Sequence, residues 1–248
     1  MWTFIWHTFF FDPIYNTLVF FIELFPHGDV GLSIIATVIF IKLIILPLSV
    51  KVAKMQAVMR EIDPKMKQIK EKIKDRQKQA EAMMALYKEA NINPFANILL
   101  LFVQFPIIIA LYFSVVRGGG VPLPDINTGI LYSFIPNPDV VSMLMFGVFD
   151  IAQKSLPLAI VAGITQFIQV RFSMPPLPER KAGEAASMKD EFARSMQLQM
   201  RYMMPLMITF VAYTFSAAIA IYFIVSNLMA IVTELEVRKH RQPISDPK

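Results

Sequence analysis

Lys42 is the residue whose position calls first for a chemical explanation. It stands in the apolar run Val38-Ile39-Phe40-Ile41-Lys42-Leu43-Ile44-Ile45-Leu46, eight residues before Val50, or about 12 Å of helix. An ammonium held at the depth of a hydrocarbon core costs on the order of 2.5 to 3.5 kcal/mol on insertion scales, so such a residue is expected to face a polar cavity. The alternative is a long side chain that reaches back to the headgroups past Pro47. Further polar groups fall in comparably apolar surroundings: Thr37, Gln104, Thr165, Gln166, Gln169, Ser226 and Asn227. Gln166 and Gln169, three residues apart, share a helix face. No carboxylate lies clearly among them, which leaves the charge of Lys42 available to something outside this chain.

Other chemistries find little material. The chain has no cysteine, which excludes a disulfide framework, a thiolate metal site, a catalytic thiol and a lipid-modified N-terminal cysteine. His7, His27 and His240 are too far apart in sequence for metal-ligand spacing and read as interfacial or solvated, so no metal or other cofactor is expected. No Ser, Asp and His constellation suggests hydrolysis, and the chain is not expected to be an enzyme.

The elements that must position Lys42 are helices in lipid. Hydrophobic residues make up 55% of the sequence and the mean hydropathy is +0.51, more than a soluble domain of this size carries. The excess is gathered into blocks near the roughly 20 residues that cross a bilayer, without the period-2 alternation of a β-barrel. An all-α polytopic membrane protein is therefore expected, with transmembrane helices at 29–50, 95–116, 155–172, 202–216 and 217–236. Lys and Arg crowd into 51–94, 173–201 and the tail 237–248, whereas the segment 117–154 holds only Arg117 and Lys154. By the positive-inside rule the basic segments are cytoplasmic, 117–154 is extracytoplasmic, the N-terminus is outside and the C-terminus inside. The net charge of +5 is on this reading a topology signal, and no nucleic-acid binding is expected.

Residues 1–28 carry no Lys or Arg and no small-residue cleavage site, so they read as retained and not as a secretory signal. Asp12-Pro13 resembles a helix start, giving a helix of about twelve residues from Pro13 to Leu24, roughly 18 Å, too short to span. Asn16 and Glu23 share one face of it, which suggests an amphipathic helix on the outer interface; a sixth span is the alternative. In the segment 51–94, Asp63-Pro64 repeats the start signal ahead of a stretch rich in helix-forming Lys, Glu, Gln, Met and Ala. Met66, Ile69 and Ile73, then Met83 with Leu86 or Tyr87, form a thin stripe along which two antiparallel arms would pack. A solvated connector with no partner is the alternative. Met196, Met200, Met203, Met204 and Met207 form another stripe, readable as an adaptable binding face or as ordinary packing.

Several segments taken in order resemble the YidC/Oxa/Alb membrane protein insertases. They are Phe40-Ile41-Lys42 through Leu46-Pro47-Leu48, Asp63-Pro64-Lys65, Met83-Met84-Ala85-Leu86-Tyr87-Lys88, Asn93-Pro94, Gln104-Phe105-Pro106-Ile107 with Ala110-Leu111-Tyr112, Ile168-Gln169, Met204-Pro205, and Tyr222-Phe223-Ile224-Val225-Ser226-Asn227-Leu228. The resemblance implies five core spans around a hydrophilic groove that is open to cytoplasm and lipid, closed to the outside, and holds one positive residue. Lys42 stands where that family usually has Arg, Phe223 where relatives often have a second Tyr, and the hairpin lacks the customary turn Gly. By the same resemblance Lys42, Gln104, Gln169, Tyr222, Ser226 and Asn227 would line the groove, with Thr37, Gln166 and Phe223 beside them. Asp63, Pro64, Met83, Met84 and Tyr87 would belong to a client-recruiting hairpin.

The function so implied is insertase and chaperone work in the bacterial cytoplasmic (inner) membrane. Nascent membrane-protein clients and the lipid bilayer are the partners; a ribosome and the Sec translocase are left open. A small-solute transporter or channel is the competing reading, against which stands the lack of internal repeats and paired broken helices.

Overall fold

The computed structural model describes residues 2–90, 96–174 and 188–239. Asn93-Pro94, most of the second basic loop and the tail beyond Lys239, His240 included, lie outside the described residues. The rest is mostly helix, with one short β-hairpin.

The expected N-terminal helix is present and extends further back than expected. It runs from Trp2 to Leu24 as α1 (Trp2–Trp6), a π-helical turn (His7–Phe11) and α2 (Asp12–Leu24). Asp12 opens α2, as expected, but caps nothing. Its carboxylate is taken by His7, whose Nδ1 lies 2.8 Å from Oδ1. Pro13, which lacks an N–H, is absorbed by the wider turn before it, where the Asp12 N–H reaches back five residues to the His7 carbonyl. Asn16 is not on a wetted face either. It is 1% exposed, donates to the Ile130 carbonyl at 2.9 Å and accepts from the Tyr132 N–H at 2.7 Å. Glu23 is exposed, as are Phe4, Phe9, Phe20 and Leu24.

Asp29 caps α3 (Val30–Ile44), accepting from the Leu32 N–H. Gly28, at φ +63°, makes the preceding turn, where a Cβ would lie 1.9 Å from the Val140 carbonyl oxygen. After Ile45 the chain bends by 67° into α4 (Leu46–Lys72). Pro47 in the first turn of α4 accounts for the break, since it cannot continue the α3 hydrogen-bond ladder. The hairpin's first arm thus begins at Leu46, neither at 51 nor at Asp63. Pro64 lies inside α4 and Asp63 pairs with Lys67 at 2.8 Å. Asp75 ends the turn by accepting from the Gln77 and Lys78 N–H groups and so caps α5 (Arg76–Glu89). The two arms meet on buried Ile62 and Leu86, flanked by Met55, Met59, Met66, Ile69 and Tyr87.

The remaining helices are α6 (Ala96–Val116), α7 (Leu156–Ser173), α8 (Met188–Thr214) and α9 (Ala217–Lys239). Among the described residues, α7 and α9 are each long and apolar enough to cross a membrane, and the bent pair Val30–Ile44 and Leu46–Ile69 makes a third if taken as one span. The apolar part of α6 that the same description covers is Phe102–Val116. The bundle's main core joins Ile34 and Val38 of α3, Ala110 and Leu111 of α6, and Ala218, Ile221 and Tyr222 of α9. A second cluster of Ala159, Ala162, Ala212 and Ala220 lets α7, α8 and α9 approach closely.

Residues 117–155 cap one end. Their hairpin, β1 (Leu144–Met145) with β2 (Phe149–Asp150), is held to the start of α3 by the Phe146 N–H, which donates to Asp29 Oδ2 at 3.0 Å. The cap also meets the start of α9, whose Ala217 N–H donates to the Gln153 carbonyl at 2.7 Å, and the end of α6, where the Leu123 N–H reaches the Val115 carbonyl. Tyr15 of α2 accepts from the Asn127 N–H. The starts of α3, α7 and α9 and the end of α6 therefore share one end of the bundle, and the α4–α5 hairpin leaves from the other.

Candidate functional site

Because α3 stops at Ile44, Lys42 stands in its last turn. The free carbonyls there give a helix C-terminus partial negative charge, which favours a cation. The side chain is half-buried, and its Nζ donates to Gln104 Oε1 of α6 at 2.8 Å. Among the described residues no carboxylate pairs with it.

The bend after Ile45 carries α4 away from the bundle and leaves a cleft of about 100 Å³ against α7 and α9. Lys42, Ser49 and Gln56 line one wall, Gln169 and Ser173 another, and Met229, Thr233 and Glu234 a third. Gln169 donates to Ser173 Oγ at 2.9 Å and accepts a long 3.4 Å bond from Gln166 Nε2. This chain of amides and a hydroxyl runs along α7, and such groups both donate and accept.

The structure thus brings together Lys42, Gln104, Gln166 and Gln169. It sets the α9 residues deeper. Tyr222 lies in the main core, 2% exposed. Asn227 is used between helices, donating to Thr165 Oγ1 at 3.2 Å and to the Ala162 carbonyl at 3.4 Å. Phe223 packs edge-on to Tyr222 and against the alanine cluster. Tyr222 and Ser226 nevertheless share a helical face with Met229 and Thr233 of the cleft wall. Ser226 and Thr37 are buried with no well-formed hydrogen bond, and the Tyr222 hydroxyl, near Ser226, also lacks one. In the hairpin, Met84 is exposed and Met83 and Tyr87 are half-buried.

Charges that the sequence does not disclose complete the rim. Glu234 is 2% exposed; its Oε1 accepts from Arg60 Nη2 of α4 and, at 3.1 Å, from Arg238 Nε. Arg238 also donates to the Phe172 carbonyl. The i,i+4 spacing of Glu234 and Arg238 is a readable signal. Nothing local marks Arg60 as their partner, because the pair is made by the bend.

A family model described as 60Kd inner membrane protein matches residues 21–243. A protein named membrane protein insertase YidC from Alkalihalophilus pseudofirmus is 30% identical over 239 residues, covering 92% of this chain and 80% of that protein. Membrane protein insertase MisCA from Bacillus subtilis is 28% identical, over 92% of this chain and 79% of its own. A longer membrane protein insertase YidC from Sinorhizobium fredii matches over 95% of this chain but 38% of itself, at 29% identity. A match that runs through the capped bundle, the bend below Lys42 and the hairpin alike leaves one assignment: the chain belongs to the 60Kd inner membrane protein family, that of the YidC/Oxa insertases.

Proposed function

We propose that this chain is a membrane protein insertase whose cleft takes up the polar tail of a client while the client's apolar segment passes into lipid. The observation that carries the reading is Lys42, a half-buried cation whose partner is the neutral amide of Gln104 and which faces a cleft walled by Gln169, Ser173 and Ser49. A carboxylate or peptide group entering there exchanges water for these donors. That lowers a desolvation barrier of about 2 to 7 kcal/mol per unpaired polar group. Burial of the client's apolar segment, at roughly 25 cal/mol per Å², drives the overall transfer. No covalent step is needed.

On this reading the membrane is the bacterial cytoplasmic membrane, the capped end with residues 1–28 lies outside, and the cleft and the α4–α5 hairpin open to the cytoplasm. The exposed flank of the N-terminal helix, Phe4, Phe9, Phe20 and Leu24, suits an outer interface. The hairpin, with Met84 exposed, would meet clients first, and the exposed methionines Met196, Met200, Met203, Met204 and Met207 of α8 would offer them an adaptable surface.

Reconstitution of the pure protein into vesicles tests the proposal. A client with one apolar segment and a short polar tail should reach a protease-protected, inserted state faster than in empty vesicles, without any rise in permeability to small solutes. Solute flux without insertion would favour the transporter reading and defeat this one.

A further inference from the structure

We infer that Arg60 and Arg238 form a second carboxylate-binding station at the rim of the cleft, held closed by Glu234, which an acidic client side chain displaces. The inference rests on the insertase reading above and adds a residue pair to it. Glu234 is a wall residue of the cleft that Lys42 lines, yet its carboxylate is turned onto the two arginines. Three features mark this as an exchangeable contact.

The first is charge. Two guanidinium groups share one carboxylate, so the cluster is a net cation beside the cleft and has the charge to hold a second anion. The second is geometry. Arg60 uses Nη2 toward Glu234, whereas its Nε is buried and makes no hydrogen bond; the planar fork that recognises a carboxylate through two parallel bonds is half used. The third is energy. Stripping a buried carboxylate of its partners is costly, but Glu234 keeps Arg238 when Arg60 turns to another carboxylate, so the exchange leaves no buried acid unpaired. Access runs past Arg238, whose side chain is 41% exposed, to Arg60 at 17%, with Glu234 at 3% beneath them.

Location gives the exchange a consequence. Arg60 belongs to the hairpin arm α4 and Glu234 to α9, so the pair ties the projecting arm to the bundle. A client carboxylate that takes Arg60 from Glu234 both gains a station ahead of Lys42 and releases α4 from α9. Glu234 thus acts as an internal stand-in for the client's acidic tail.

The test uses the full chain in vesicles, with Ala230→Cys as a reporter on the cleft wall; the protein has no native cysteine to interfere. Matched clients carry one tail cysteine beside either Asp or Asn residues, and disulfide capture is measured. Glu234→Gln should raise capture of the Asp-tailed client several-fold and leave the Asn-tailed client unchanged, and adding Arg60→Gln should remove the gain. Equal change for both clients would mean that Glu234 only holds the arm in place, and no change would mean that the arginines take no client carboxylate; either overturns the inference. Capture of neither client before any change at Glu234 would instead defeat the cleft reading itself. The Arg60→Gln/Glu234→Gln double variant, which leaves only the solvent-reached Arg238 without its carboxylate, guards against misfolding, and its melting temperature is read in parallel.

Discussion

A single ammonium in the last turn of α3 is stabilised from two directions without being neutralised. The helix carbonyls supply partial negative charge, and Gln104 supplies one strong acceptor, so the charge is kept and its field still reaches the cleft. Lys42→Arg should therefore preserve insertion, since either cation attracts a carboxylate in a poorly hydrated site. Lys42→Ala and Lys42→Glu should slow clients with acidic tails about tenfold or more, the factor that follows from losing roughly 1.4 kcal/mol of attraction in the rate-limiting state, while clients without tail acids change little. The Ala variant should melt at or above the temperature of the parent, because removing a charge from a low-dielectric site relieves about as much as the lost hydrogen bond took away. Insertion rates on matched clients together with a thermal melt check both parts. Normal insertion of acidic-tailed clients by Lys42→Ala would return Lys42 to the headgroup-reaching alternative.

At the scale of elements, two packing arrangements divide the molecule into a firm part and a loose one. Gly163 lies so close to α8 that a Cβ would sit 1.9 Å from Thr209 Oγ1. Gly163→Ala should destabilise the bundle by about 1 to 3 kcal/mol, and the double variant with Thr209→Ala should recover much of the loss; thermal melts in detergent would show it. The hairpin, by contrast, has a thin seam centred on Ile62 and Leu86. Its amides should exchange well before those of α7 and α9, as measured by hydrogen exchange in lipid discs; equal protection would mean that α4 and α5 are part of the rigid core.

The same division explains what is legible in the sequence. The apolar blocks and the hairpin stripe are periodic and local, so Met66, Ile69 and Leu86 announce their seam. Asp12-Pro13 does open α2, though Asp12 does not cap it, whereas Asp63-Pro64 misleads, because a proline inside a helix and a proline that begins one look alike until tertiary contacts decide. The position of Lys42 misleads for a related reason: Pro47 ends its helix early, whereas the sequence alone suggests a straight run to Val50. Of the site, Gln104 and Gln169 are legible as polar residues in apolar runs. Arg60 and Glu234 are not, since a partnership 174 residues apart is made by the fold.

For the whole molecule, the decisive property is that its two ends differ in kind. One is closed by residues 117–155, folded over α2 and fastened at Asp29, Tyr15 and Asn16. At the other, the cleft opens beside a basic hairpin, and 51–94 alone carries eleven Lys and Arg residues. On the proposed orientation, with the closed end outside and the cationic open end inside as the positive-inside rule suggests, a polar tail would enter the lipid region from the cytoplasm without a continuous aqueous leak. Single cysteines in the cysteine-free chain can test it directly. Ser133 in the cap and Gln68 on α4 are both exposed, and neither contributes to the site, so Ser133→Cys and Gln68→Cys should fold normally. A membrane-impermeant maleimide added to intact cells should label the Ser133→Cys variant alone, and opening the membrane should be needed before the Gln68→Cys variant reacts. Labelling of both variants in intact cells, or of the Gln68→Cys variant alone, would abolish or invert the proposed orientation, and the cleft would then face a compartment in which no nascent chain is waiting.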